Sequence, residues 1–327
     1  MKAIVCREYG ALQLQEAAQP TSQDNEVLIK VQASAVSFNN LLTVQGKPFF
    51  VRLMGMGMRQ PKHPIPGGDV AGRVEAVGRH VTQFRPGDEV FGDLADFGMG
   101  AFAEYVCAPQ QAIALKPAAV SFEDAAAAAE AAVVALQGLR DKGKIQAGQK
   151  VLIYGASGGI GTFAVQLAKY FGAEVTGVCS GRNFELVRAL GADQVIDYTR
   201  EDFTKNGQSY DLILATAGYR SIRDYKRALS PSGSYVMTGG AWKQVFQPIF
   251  MGPFIAIGGH QKLIALVQKP SPKDLMLVGD LLVSGKLKPV IERCYPLREA
   301  AAALQQYAEG HTRGKIVITM EGDQVHG

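Results

Sequence analysis

A glycine-rich turn between an apolar strand and an amphipathic helix is the feature that most constrains the fold of this chain. Residues 151–153 read Val-Leu-Ile, the short apolar run of a buried parallel strand. Glycine permits a tight turn and the close approach of a pyrophosphate, and the N–H groups that begin the next helix attract phosphate. The pattern therefore predicts a dinucleotide-binding βαβ unit. The predicted contacts are Ser157, Gly158, Gly159, Ile160 and Gly161.

The end of the second strand of this unit indicates which dinucleotide binds. A chain that binds NAD usually places Asp or Glu about 20 residues beyond the glycine motif, where the carboxylate holds the ribose hydroxyls. This chain has Ser180-Gly181-Arg182-Asn183 instead, and a hydroxyl and a guanidinium suit a 2′-phosphate. We therefore predict NADPH, bound through Ser180 and Arg182. The alternative is that Arg182 is a solvated charge in the first turn of the next helix.

Composition and charge exclude several classes of protein. The 327 residues are 47% hydrophobic and carry a net charge of +4 without a basic block, so we expect no nucleic-acid partner. Residues 245–259 are the most apolar long stretch, but Gly and Pro interrupt it and it is too short to span a bilayer, so we interpret it as a lid or pocket wall. Four scattered cysteines and no apolar signal segment favour a reduced, cytoplasmic protein.

The order of the hydrophobic patterns predicts an α/β protein with two domains. Short alternating segments separated by Pro and Gly turns, typical of a mostly antiparallel β unit, fill the first third. An alanine-rich helix then begins near residue 121, and strands alternate with helices as in a Rossmann doubly wound parallel sheet. The predicted strands are 194–197, 211–216, 234–239 and 262–268, followed by a helix at 297–307 and a strand at 315–319. The predicted domains are residues 1–121 with 270–327, which are β-rich, and residues 122–269, which bind the dinucleotide.

Several blocks of sequence, taken together and in order, resemble the medium-chain dehydrogenase/reductase superfamily. They are PIPGGDVAGRVEAVG at 64–78, RPGDEVFG at 85–92, GAFAEYVCAP at 100–109, GASGGIG at 155–161, LGADQVIDY at 190–198 and the block at 285–318. The zinc-free, quinone oxidoreductase-like (zeta-crystallin-like) branch is the most similar. The resemblance implies a GroES-like catalytic domain, a Rossmann domain and a cleft between them. It also implies direct hydride transfer from NADPH to a quinone or an α,β-unsaturated carbonyl compound.

The resemblance further implies that no metal takes part. Zinc-dependent members carry Gly-His-Glu where this chain has Gly67-Gly68-Asp69, and a cysteine where it has Ser37. We align Glu130 with the slot of the remaining inner-sphere cysteine. Because no thiolate or imidazole stands at these positions, a tetrahedral zinc site cannot be assembled from them.

Three polar side chains are candidate catalytic residues. Without zinc, hydrogen-bond donors must stabilise the charge that develops on the acceptor, and Asn39 and Asn40 offer amide donors. Such residues equally often hold a loop through bonds to the backbone. Glu130 interrupts an apolar helical face and by alignment faces the nicotinamide, where burial would raise its pKa and let it deliver a proton. The alternative is an exposed Glu favoured by the helix dipole.

Two more residues complete the predicted cofactor site. Tyr198 resembles the aromatic residue that neighbours the 2′-phosphate in NADPH-dependent relatives, or it is a strand-edge tyrosine. Lys315 could reach the cofactor from the returning C-terminal strand, or it could face water as a lysine at a strand start usually does.

The acceptor and the assembly are less constrained. Ser37-Phe38-Asn39-Asn40 stands where relatives often read Asn-x-x-Asp, and the loop at 46–66 offers Phe and Met side chains that indicate an apolar, adaptable pocket. Alternative functions are an NADP-dependent alcohol or carbonyl oxidoreductase and a non-enzymatic NADPH-binding structural or sensor protein. We also expect a homodimer through the apolar strand at 262–268, because an unpaired edge of this kind aggregates and similar relatives pair it.

Overall fold

The computed structural model describes residues 1–217, 220–239 and 260–320, and its contacts divide the chain into two compact units. Unit 1 comprises Met1–Glu130, Pro270–Gly285 and Pro289–Gly327, and unit 2 comprises Ala131–Lys269 and Lys286–Lys288. The division at residue 131 lies inside a helix that starts at Phe122, which is the residue where the sequence places the domain boundary. The apolar stretch at 245–259, interpreted as a lid or pocket wall, lies outside the described residues.

The regular elements are numbered here in chain order. The described strands are β1 (Lys2–Glu8), β2 (Ala11–Glu16), β3 (Glu26–Ala35), β4 (Asp69–Val77), β5 (Glu89–Asp93), β6 (Tyr105–Pro109), β7 (Ile113–Leu115), β8 (Lys150–Tyr154), β9 (Glu174–Cys179), β10 (Gln194–Asp197), β11 (Tyr210–Ala215), β12 (Leu229–Met237), β13 (Lys262–Ala265), β14 (Ile291–Pro296) and β15 (Lys315–Thr319). The described α-helices are α1 (Phe38–Gln45), α2 (Phe122–Leu136), α3 (Gly159–Tyr170), α4 (Phe184–Ala189), α5 (Ile222–Ala228), α6 (Pro272–Val283) and α7 (Ala300–Ala308).

Unit 1 is the mostly antiparallel, GroES-like unit that the sequence predicts. A hairpin of β1 and β2 accompanies a seven-stranded sheet with the order β14-β15-β3-β4-β5-β7, in which β6 pairs with β3. The pairings are antiparallel except that of β14 with β15. Strand β3 buries Val27, Ile29 and Val31, the alternate positions that face the core. The central place of β3 brings the first residues of β4 and β15 into the interior of the unit.

Unit 2 has the predicted Rossmann topology. Its six strands follow the order β10-β9-β8-β11-β12-β13, and every recorded pairing is parallel. The order reverses between β8 and β11, the switch point outside which dinucleotides bind in such sheets. Val151, Leu152 and Ile153 of β8 are fully buried, as the unbroken apolar run predicts.

Several element boundaries differ from the sequence predictions. Strand β12 begins at Leu229 rather than 234, and β13 ends at Ala265 rather than 268. The predicted helix at 297–307 opens with a 3₁₀ turn at Leu297–Glu299, and α7 follows it. Within the described parts of the chain, no helix combines the length and the hydrophobicity that crossing a bilayer requires.

Candidate active site

Glu130 lies near the middle of α2 with its carboxyl group partly buried in unit 1. Its Oε1 accepts a hydrogen bond of 3.0 Å from Nδ2 of Asn39, which α1 carries 91 positions earlier in the chain. The hydroxyl of Ser37 also bonds to this carboxyl group. Two neutral donors from the start of α1 therefore hold the Glu130 side chain.

A buried ion pair holds the backbone of the same residue. The N–H of Glu130 donates to Oδ1 of Asp69 at 2.7 Å, and Nζ of Lys315 donates to Oδ2 of Asp69 at 3.0 Å. Asp69 is fully buried and Lys315 is 4% exposed. Asp69 is the first residue of β4 and Lys315 the first of β15, so the sheet brings together residues that are 246 positions apart.

Asn40 lies in the same region but is part of the cap of α1. Its Oδ1 accepts the N–H of Ser37 at 2.8 Å, and its side chain is fully buried. Its Nδ2 is a buried donor without a hydrogen-bond partner among the described residues. The contact of Oδ1 with the backbone is the loop-holding role that the sequence leaves open, and a catalytic role for Asn40 stays a prediction.

The electrostatics of the cluster favour a proton on Glu130 near neutral pH. Burial raises the pKa of Glu130 to about 7, and the negative charge of Asp69 adds to the rise, whereas Lys315, Ser37 and Asn39 oppose it. Burial also raises the pKa of Asp69, to about 6, against the charge of Lys315. Burial alone would lower the pKa of Lys315, but Asp69 and Glu130 raise it above its ordinary value. Unit 1 thus holds the titratable Glu130 carboxyl beside the buried ion pair of Lys315 and Asp69.

Lys315 does not face water. Its ammonium is buried in the ion pair with Asp69, because β15 is an inner strand between β14 and β3 and its first residue does not reach the surface. The structure therefore corrects the interpretation of Lys315 as a lysine facing water. Its contact with the cofactor stays a prediction.

The glycine turn of unit 2 has the shape that a pyrophosphate requires. A side chain on Gly161 would place its Cβ 2.0 Å from the carbonyl oxygen of Gly155, and Gly155 itself has a φ of +87°. At Gly158, the N-cap of α3, a Cβ would meet nothing closer than 3.5 Å. The N–H groups of Gly159, Ile160 and Gly161 belong to the first turn of α3, which has no intrahelical acceptors. These features fit a phosphate at the helix N-terminus.

The predicted 2′-phosphate contacts lie around an open depression at the ends of β9 and β10. Arg182 and Arg200 both line it, together with Gly181, Phe184, Asp197 and Thr199. Ser180 follows β9 and is half-buried, and Tyr198 follows β10 and is exposed. The sequence analysis does not single out Arg200, because an arginine after a strand carries no signal of its own.

One acid does lie at this depression, on a different strand from the one that the NAD pattern uses. Asp197 ends β10, and its Oδ1 accepts the N–H and the hydroxyl of Thr199 at 3.0 and 2.7 Å. The bonds from Thr199 lower the pKa of Asp197. The Asp197 carboxylate is thus hydrogen-bonded within its own turn. The position directly after β9, where the NAD pattern places an acid, is occupied by Ser180.

Asn183 is a further residue of this site that the sequence analysis does not identify. It is buried, and its Nδ2 donates to the hydroxyl oxygens of Ser157 and Ser180 at 2.9 and 3.3 Å. Its Oδ1 is buried without a hydrogen-bond partner among the described residues. Asn183 therefore joins the glycine turn to the end of β9. Asn183 stands in the segment Ser180-Gly181-Arg182-Asn183, but the hydroxyl and the guanidinium of that segment indicate phosphate binding, and nothing local indicates that the amide joins two turns.

The residues at the zinc-ligand slots of related dehydrogenases do not fit a zinc ion here. Gly68 offers no donor atom, and both carboxylate oxygens of Asp69 are used, one by an ammonium and one by an N–H group. Ser37 and Glu130 are bonded to each other. A tetrahedral site needs thiolate, imidazole or free carboxylate donors, which this set lacks.

The fold and the dinucleotide turn define the class of protein, a nicotinamide-dependent oxidoreductase with a GroES-like unit and a Rossmann unit. Residues 23–118 match the family model of the alcohol dehydrogenase GroES-like domain, and residues 190–318 match that of the zinc-binding dehydrogenases. The chain belongs to the medium-chain dehydrogenase/reductase superfamily, in its quinone oxidoreductase-like branch.

Three similar proteins illustrate the match. The chloroplast envelope quinone oxidoreductase homolog of Arabidopsis thaliana is 32% identical, over 97% of this chain and 98% of its own. The 2-methylene-furan-3-one reductase of Solanum lycopersicum is also 32% identical, over 97% of this chain and 79% of its own. The structure of the quinone oxidoreductase from Coxiella burnetii superposes with a TM-score of 0.86 at 29% identity, and covers 98% of this chain and 99% of that one.

Proposed function

We propose that this protein reduces quinones or α,β-unsaturated carbonyl compounds with NADPH and without zinc. The observation that carries the proposal is the Glu130 carboxyl of the GroES-like unit, whose Oε1 accepts a hydrogen bond of 3.0 Å from Asn39 and whose pKa burial raises to about 7. The names of two similar proteins, a quinone oxidoreductase homolog and a 2-methylene-furan-3-one reductase, support this acceptor class.

In the proposed reaction, some residues bind the cofactor and Glu130 transfers a proton. The turn at Gly158–Gly161 binds the pyrophosphate, and Ser180 and Arg182 bind the 2′-phosphate. The bound nicotinamide supplies a hydride. Reduction of the acceptor is complete only when a proton joins the hydride, and Glu130 delivers that proton and regains one from water. Asn39 keeps the carboxyl oriented by donating to Oε1.

The proposal is tested by following NADPH oxidation with a panel of quinones, enones and aldehydes. Simple alcohols are tested in the opposite direction, as substrates with NADP⁺. We expect turnover of quinones or enones, unchanged by chelators, and a fall of about 10²-fold in Glu130→Gln because an amide cannot ionise. NADPH affinity should not change. Glu123→Gln, the same substitution two turns earlier in the first turn of α2, should retain full turnover.

Three outcomes would contradict the proposal. Turnover confined to alcohols and aldehydes would favour the carbonyl oxidoreductase alternative. Loss of activity on removal of one tightly bound zinc per chain would show metal catalysis. Tight NADPH binding without turnover of any acceptor in the panel would favour a structural or sensor protein.

A further inference from the structure

We propose that Asp69 and Lys315 are positioning residues that fix Glu130 in place and set the charge of its carboxyl group. The inference rests on the proposed role of Glu130 as the proton donor and extends it, because it identifies what controls that donor. Asp69 and Lys315 act through Glu130 and do not themselves contact the acceptor in this scheme.

The geometry gives each oxygen of Asp69 a separate partner. Oδ1 accepts the N–H of Glu130 at 2.7 Å, and Oδ2 accepts Nζ of Lys315 at 3.0 Å. An N–H group in the middle of an α-helix normally donates only to a carbonyl of the same helix. The hydrogen bond from the N–H of Glu130 to Asp69 is therefore a tertiary contact, and it fixes α2 against β4. Lys315 in turn orients the carboxylate that makes this contact.

The charges of the cluster do not balance when every group is ionised. Asp69 and Glu130 are negative and Lys315 is the positive group between them, while Asp93 adds a further carboxylate that faces Asp69. Asp93 is itself bonded to the N–H of Ala95 at 2.9 Å. Tyr307 is the other titratable group facing Lys315. Because Asp69 is bonded to the ammonium and Glu130 is held by the neutral donors Asn39 and Ser37, the surplus proton belongs on Glu130.

The two partners act on Glu130 with opposite sign. The negative charge of Asp69 favours the protonated carboxyl, and the positive charge of Lys315 favours the carboxylate. Removing the charge of Asp69 should therefore lower the pKa of Glu130, and removing that of Lys315 should raise it. If the pair merely stabilised the fold, its loss would impair both single variants in the same way. The pKa of Glu130 would then not move in opposite directions in the two variants.

The experiment titrates Glu130 in the purified full chain by infrared difference spectroscopy, with the band assigned by its loss in Glu130→Gln. The variants are Asp69→Asn, which keeps an oxygen for the N–H of Glu130, Lys315→Met, and the two combined. We expect the midpoint to fall in Asp69→Asn, to rise by about one pH unit or more in Lys315→Met, and to return near the wild-type value in the double variant. The basic limb of the turnover profile should move with it.

Two controls separate this role from general damage. Lys315→Arg keeps the charge and should leave the midpoint in place. Lys169→Met breaks a solvent-exposed ion pair with Asp193 in unit 2 and should have no effect on the titration.

Midpoints that stay fixed, or that shift in one direction in both single variants, would overturn the proposal. If one single variant does not fold, the other still decides the proposal, because Asp69→Asn must lower the midpoint and Lys315→Met must raise it, each independently of the other. The infrared midpoints do not depend on turnover. If Glu130→Gln retains full activity, the proposed function fails, while the midpoints still show whether the pair sets the charge of Glu130.

Discussion

At the scale of single residues, the buried Glu130 carboxyl that the proposed chemistry needs lowers the stability of the folded protein when it ionises. Its pKa in the folded protein is raised to about 7, above the value near 4.5 of an unhindered Glu. The contribution of Glu130 to the free energy of unfolding is therefore fully present below about pH 4.5 and is lost as the pH rises through 7. We expect Glu130→Gln to be more stable than the wild type at pH 8, by up to about 3 kcal/mol. The difference should vanish near pH 4.

Urea denaturation at pH 8 and pH 4.5 measures this prediction. Glu123→Gln serves as the control, because Glu123 lies in the first turn of the same helix, and the stability of this variant should follow that of the wild type at both pH values. Equal stability of Glu130→Gln and wild type at pH 8 would mean that the carboxylate of Glu130 is well solvated.

Arg182 carries the prediction about cofactor choice. It lies at the depression that it shares with Arg200, next to the end of β9. Loss of one charge-assisted phosphate contact in Arg182→Ala should weaken NADPH binding about ten- to a hundredfold and leave NADH binding nearly unchanged. Arg188→Ala, an exposed arginine of α4 beside Glu185, is the matched control. Equal wild-type affinities for NADPH and NADH in a fluorescence titration would refute the assignment.

The residues of the site differ in how far the sequence could predict them. The glycines of the turn are recognisable because their requirements are local. The partners of Glu130 are not, since Asn39 lies 91 positions away and its contact depends on tertiary packing. The ion pair of Lys315 was missed for the same reason, because only the order of the strands shows that β15 is an inner strand.

At the scale of elements, the junction of β8 and α3 separates two uses of glycine. A Cβ on Gly161 would lie 2.0 Å from a backbone oxygen of the same turn, whereas a Cβ on Gly158 would have its nearest neighbour at 3.5 Å. We expect Gly161→Ala to lose more than about 2 kcal/mol of stability, because backbone must move. Gly158→Ala should stay folded and bind NADPH more weakly, since its methyl group would occupy the approach of the pyrophosphate.

Thermal unfolding and an NADPH titration of both variants distinguish the two effects. The matched substitution makes each variant the control of the other. Gly158→Ala with unaltered NADPH affinity would remove the turn from the cofactor site.

The strands were predicted well where their burial is uniform and less well at their ends. Strand β15 has the predicted bounds, and β8 extends one residue beyond each end of the apolar run at 151–153. Strand β12 continues upstream through Ser-Pro-Ser-Gly, which pattern analysis treats as a turn, because pairing of Leu229 with Tyr210 extends the sheet. Strand β13 stops at Ala265, where the pairing with Met237 of β12 ends. Neighbouring strands, rather than local composition, set both ends.

At the scale of the whole molecule, the edge of the Rossmann sheet carries the prediction of a homodimer. Among the described strands, β13 and β10 are the two edges of this sheet, and β13 pairs with β12 alone. Ile264 is half-buried there, and an apolar edge strand favours pairing with another chain. We expect a dimeric mass by light scattering at micromolar concentration and a monomeric mass for Ile264→Asp.

Val267→Asp provides the comparison, because Val267 lies beyond the strand and is 78% exposed. It should leave the mass unchanged. A monomeric wild type would contradict the expected assembly.

The two-unit architecture was predictable because its sequence blocks are spread along nearly the whole chain. The Rossmann order and the antiparallel unit follow from them, and the structure confirms both. The domain boundaries, the acceptor and the cytoplasmic location have no comparable local signal. The expectation that the protein has no nucleic-acid partner likewise stays a prediction.

The pairing of Asp69 with Lys315 also has a consequence for biosynthesis. A ribosome releases β4 and α2 long before β15, so Asp69 has no counter-ion until the chain has grown by a further 246 residues. The Rossmann unit consists almost entirely of one continuous segment, Ala131–Lys269, and can fold during that interval. The GroES-like unit cannot close its sheet until β15 inserts between β3 and β14. The nascent chain therefore exposes an unfinished sheet edge until β15 has been synthesised, and this is the stage at which a chaperone would protect it.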